Sequence, residues 1–84
     1  MSPDPIPLPE ILLDQRGARC PLPVVALAQA MAAHGPGAVV GLRADDPAAH
    51  LDVPAWCRMK QAQFLGELPD PEGGDGAVFV VRLP

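Results

Sequence analysis

Cys20 stands directly before Pro21-Leu22-Pro23 in the stretch DQRGARCPLPVV, with Arg16 and Arg19 just upstream. Sulfur chemistry at a protein surface needs a thiol that can ionise, and this placement predicts one. A helix beginning at Pro21 makes Cys20 its N-cap and puts both prolines in the first turn, where a missing N–H costs little. Cysteine is a poor cap, weaker than Ser, Thr, Asp or Asn by about 1 kcal/mol. A reason other than stability is therefore expected for it. Free backbone N–H groups and the positive helix end favour a thiolate, and Arg16 and Arg19 would add to them. If the helix end and one Arg supply about 2 kcal/mol, a thiol of pKa about 8.5 falls by about 1.5 units and is about half ionised near neutrality. That suits a sulfur that both attacks and is attacked.

Other candidates offer less. Cys57 follows Trp56 within an apolar helical pattern and reads as a buried, inert thiol. Its separation from Cys20 rules out a Cys-x-x-Cys redox pair. His34 and His50 have no ligand spacing with either cysteine, so no metal is expected; no cofactor is expected either. Asp45 and Asp46 follow the second expected strand. They read as a solvated turn, or as acids that orient Arg16 or Arg19 or meet a basic partner.

The elements that must position Cys20 follow from periodicity. Residues 1–9 hold four prolines and are expected to be a disordered tail, leaving residues 10–84 as a single domain. EILLD (10–14) reads as a strand, and QRG turns the chain at Gly17. The Ala-rich run 21–34 reads as a helix with Val24, Leu27, Ala28 and Met31 on one face, closed by Gly35 and Pro36. AVVGLRA (38–44) alternates as a second strand, and residues 53–63 read as a second helix announced by Asp52 and Pro54. FLGEL (64–68) and AVFVVRL (77–83) close the chain as strands. A right-handed crossover makes the first two strands parallel, and the closing pair forms an antiparallel hairpin. The expected fold is α+β: a two-layer α/β sandwich in β-α-β-α-β-β order, with a mixed four-stranded sheet and two helices on one face. Val78 and Val80 would lie on the other face, as a docking surface or simply as exposed valines.

Charge narrows the function. The net charge is −4 and the six basic residues are scattered, so no stripe exists to neutralise phosphates and direct nucleic-acid binding is not expected. No apolar run reaches bilayer length, and the N-terminus has no basic signal-peptide region. A cytoplasmic protein with reduced thiols is expected, not associated with a membrane.

LDQRGARCPLPVV, followed by ADDPAAHLDVPAWC, resembles the TusA (SirA-like) family of small sulfur-carrier proteins, whose hallmark is Cys-Pro-x-Pro opening the first helix. The resemblance runs from about residue 10 to the C-terminus. It implies the same sandwich, and a Cys20 that carries sulfane sulfur as a persulfide from a cysteine desulfurase or rhodanese-like donor to an acceptor protein. The family is a relay and not a stand-alone turnover enzyme, and a monomer is expected. In that setting Pro21 and Pro23 fix the helix start, Gly17 permits the turn, and Arg16, Arg19 and Asp45 support the site. The sequence departs from the family at Gln61 and Ala62, where members often have Gly-His. The alternative is a non-catalytic interaction or regulatory module of the same fold.

Overall fold

The computed structural model describes residues 5–84. Its elements run β1 (Ile11–Asp14), α1 (Leu22–Ala33), β2 (Val39–Ala44), α2 (Ala49–Lys60), β3 (Gln63–Pro69) and β4 (Ala77–Arg82). The sheet order is β1-β2-β4-β3, with β1 and β2 parallel and both other pairings antiparallel. This is the expected mixed sandwich.

Alternation sorts β2 and β4 onto two faces. Val40 pairs with Val81 and Leu42 with Phe79, and these side chains meet Leu27 of α1 and Val53, Trp56 and Cys57 of α2 in the main core. One Trp, two Phe and no Tyr leave most of that core to aliphatic packing and to small Ala side chains that let the helices sit close to the sheet.

α2 begins at Ala49, earlier than the expected start at Val53, so Asp52 lies in its first turn and Pro54 inside the helix. The helix ends at Gln61 in the left-handed region, φ 61°. Glycine takes that conformation without steric cost.

The face away from the helices departs from expectation. Val39, Val78 and Val80 form a second buried cluster, joined by Leu65, Leu68 and Ile6. Ile6 and Pro9 belong to the stretch expected to be a disordered tail; within the described residues it lies against the sheet, and residues 1–4 lie outside the described residues. Two glycines make room for it. A Cβ on Gly66 would sit 2.5 Å from Ile6 Cδ1, and one on Gly41 would sit 2.7 Å from Pro9 Cγ. Val78 and Val80 are thus covered by the chain's own N-terminal segment, and neither exposed valines nor an open docking face results.

Gly66 also has φ 144°, a region closed to most L-residues. Gly66→Ala should therefore destabilise the fold by about 2 kcal/mol or more in urea denaturation, through backbone strain and displacement of Ile6. The cost should shrink in an Ile6→Ala background, where one of those two penalties is relieved. Equal costs in both backgrounds would mean that Ile6 does not occupy the notch.

Candidate functional site

Cys20 lies in the turn between β1 and α1, exposed, whereas Cys57 is buried and both thiols are free. The turn is braced from the parallel neighbour strand. Gln15 N–H donates to the Arg43 carbonyl at 2.8 Å. Gly17 N–H donates to Asp45 Oδ1 at 2.8 Å, and Cys20 N–H donates to Asp46 Oδ2 at 2.8 Å. Gly17 has φ 82°, which explains a glycine at this turn although its Cβ would meet no neighbour. Asp46 Oδ1 also accepts from Ala48 N–H at 3.1 Å, fixing the entry to α2. These two backbone bonds hold its carboxyl below the usual range. Asp45 and Asp46 thus form the expected solvent-facing turn into α2, and their carboxylates also hold the backbone at Gly17 and Cys20, while neither makes a hydrogen bond to Arg16 or Arg19.

The electrostatics differ from expectation. Pro21 and not Cys20 is the N-cap, and α1 begins at Leu22. Pro21 and Pro23 have no N–H, and Leu22 N–H is given to the Arg19 carbonyl at 2.8 Å. Positions 21 to 23 therefore offer no free N–H to an anion. Arg16 is drawn elsewhere. Its guanidinium forms a bidentate pair with Asp14, Nε to Oδ1 at 2.9 Å and Nη2 to Oδ2 at 2.7 Å, and reaches Glu72 at 3.1 Å. Asp14 is correspondingly held down at about 2, with the Arg16 side-chain hydrogen bond the main cause.

Arg16 and Arg19 line a polar cleft of about 400 Å³ together with Arg43, Asp45, Asp70, Glu72 and the Gly73–Gly76 loop. Arg43, almost fully buried, holds that loop through a bidentate pair with Asp70 at 3.0 and 2.6 Å. Cys20 lines none of it.

The sulfur faces the helices. A small cleft brings together Cys20, Pro21, Pro23, Val24, Asp46 and Asp52. Beside it, Cys20 and Asp52 border a shallow, mostly apolar depression of about 260 Å³ floored by Val24, Ala55, Trp56 and Met59. The thiol pKa is raised, first by a hydrogen bond to Asp52, then by partial desolvation and by the charges of Asp52 and Asp46. A lowered pKa was expected, so both its direction and the assignment of Arg16 to the sulfur are corrected. Sequence reasoning used Asp52 only as a helix-start signal. Its spacing within ADDPAAHLDVPAWC was visible, but placing it at Cys20 requires the packing of α1 on α2.

An exposed cysteine on a braced strand-to-helix turn, opening a Pro-x-Pro helix in a two-layer sandwich, defines a small protein built to present one thiol. Residues 11–82 match the family described as sulfurtransferase TusA, and the chain belongs to that family, whose general role is sulfur carriage between donor and acceptor proteins. Among solved structures, a SirA-like protein from Desulfitobacterium hafniense shares the fold, with TM-score 0.73 and 22% identity over 86% of this chain and 95% of that one. No helix among the described residues is long and apolar enough to cross a membrane.

Proposed function

We propose that Cys20 accepts sulfane sulfur as a persulfide from a cysteine desulfurase or rhodanese-like donor and passes it to an acceptor protein. The observation that carries this reading is the exposed Cys20 thiol at a turn braced through Asp45 and Asp46, in a chain of a sulfur-carrier family. Cys20 sulfur attacks the terminal sulfur of the donor persulfide; a new S–S bond forms, the donor S–S bond breaks, and the donor sulfur leaves as a thiol. No net oxidant or reductant is consumed. Handover repeats the exchange with the acceptor thiol as nucleophile.

Several features support direct protein-to-protein transfer. The depression beside the sulfur is open, and Leu22, Val25, Leu51 and Met59 expose apolar side chains on the two helices. Such residues suit a transient contact surface. The assigned roles are Cys20 as sulfur bearer, Pro21 and Pro23 as the fixed helix start, and Gly17 with Asp45 as the turn. Arg19 acts at one remove, through the charge of Asp46. The setting is the cytoplasm, where both thiols stay reduced, and the working unit is a monomer.

The test is incubation with a cysteine desulfurase and cysteine, read by intact mass. A gain of one sulfur, removed by a reductant, is expected. A partner complex that survives Cys20→Ser, in a protein that never takes up sulfur, would favour a non-catalytic interaction module.

A further inference from the structure

The sulfur-bearing turn and the β3–β4 loop, residues 70–76, meet at one end of the sheet, and β2 ends between them. Arg43 at that end serves both. Its backbone carbonyl accepts Gln15 N–H from the turn at 2.8 Å. Its guanidinium holds Asp70 of the loop at 3.0 and 2.6 Å. These two side chains are 10% and 5% exposed, so the anchor is shielded from solvent.

Glu72 extends that anchor back to the turn. Its N–H donates to Asp70 Oδ1 at 2.8 Å, which fixes its backbone. Its Oε2 then meets two guanidiniums, Arg16 Nη1 at 3.1 Å and Arg43 Nη2 at 3.3 Å. Arg16 is itself pinned by Asp14, through its side chain and through its own N–H at 3.2 Å. An isolated surface pair contributes little, but a network with bidentate arginines and a buried anchor is the exception. The turn is thus gripped on one side by Asp45 and Asp46 and on the other by Glu72.

We propose that Glu72 is a positioning residue for sulfur transfer, clamping the Cys20 turn through Arg16 to the buried Arg43–Asp70 pair. This rests on the reading of Cys20 as the sulfur bearer. It gives Arg16 a mechanical task in place of the electrostatic one expected from the sequence. In the exchange written above one S–S bond forms as another breaks, so the attacking and leaving sulfurs must be aligned across two folded proteins. A misplacement of about 1 Å can slow such a step by about a hundredfold. Iodoacetamide is small and free to turn, and meets the thiol without that alignment.

The experiment is single-turnover transfer from a persulfide-loaded cysteine desulfurase, followed against carrier concentration. It compares the unaltered protein, Glu72→Ala, Arg16→Ala and the double variant. Glu72 is 70% exposed, so the fold should survive its loss. In Glu72→Ala the limiting rate should fall about threefold to tenfold, with the half-saturating concentration and the iodoacetamide rate unchanged. The double variant should be no slower than the slower single one, because both changes cut the same clamp. An unchanged limiting rate, or losses that multiply in the double variant, would overturn the proposal. So would a raised half-saturating concentration at an unchanged limiting rate, which would make Glu72 a contact for the desulfurase.

Amide exchange reads the clamp without any sulfur. Gly17 and Cys20 N–H should exchange about threefold faster in Glu72→Ala, with the amides of β4 unmoved. Unchanged exchange at both sinks the clamp alone, whereas failure of the unaltered protein to load sinks the relay.

Discussion

In the folded protein iodoacetamide should modify Cys20 on the order of a thousand times faster than Cys57. Cys57 is 2% exposed, packed with Val53 and Trp56 in the main core, and burial pushes its thiol up to about 11. It can react only when the fold opens. A stability of about 5 kcal/mol, ordinary for a small domain, keeps the open population below about one in a thousand. Cys20 has a raised pKa as well, but it is accessible without opening, so access outweighs ionisation. In strong denaturant the two rates should converge, because both the burial of Cys57 and the Asp52 contact disappear. Comparable rates under native conditions would show that Cys20 is not the presented thiol.

Much of this arrangement was legible in the sequence. Val40 and Leu42 alternating with Val39, Gly41 and Arg43 gave a half-sorted strand, and the crossover rule made it parallel to β1. Trp56-Cys57 in an apolar helical pattern placed Cys57 inside. The Cys-Pro-x-Pro stretch located the exposed thiol at a strand-to-helix turn.

What was not legible depended on long-range partners. Arg16 is nearer Cys20 in sequence than any acid of the Asp45–Asp46 pair. Yet Asp14, two residues before it, and Glu72, from the far loop, take its guanidinium. Proximity along the chain gave the wrong sign of field because it could not weigh those competitors. Asp52 approaches the sulfur only because α1 and α2 pack side by side.

The N-terminal segment failed for a related reason. Proline content says that a segment is stiff and extended, but not what it lies upon. The available signal was Gly41 and Gly66 inside strands, since an isolated strand glycine often marks a close approach of another segment. Here that segment is Ile6 to Pro9.

Replacing Cys20 should abolish sulfur uptake without harming the fold. Cys20 is exposed and its backbone N–H, the group that Asp46 holds, is retained in Cys20→Ser. The melting temperature should therefore stay close to that of the unaltered protein. Cys57→Ser should load normally if it folds, although a hydroxyl in that apolar position costs stability.

The decisive measurement is peptide-level mass spectrometry after loading with a cysteine desulfurase and cysteine. It uses the unaltered protein, Cys20→Ser and Cys57→Ser. One reductant-labile sulfur is expected on the peptide containing Cys20, present in Cys57→Ser and absent from Cys20→Ser. Sulfur on the Cys57 peptide, or loading that persists in Cys20→Ser, would contradict a relay through Cys20.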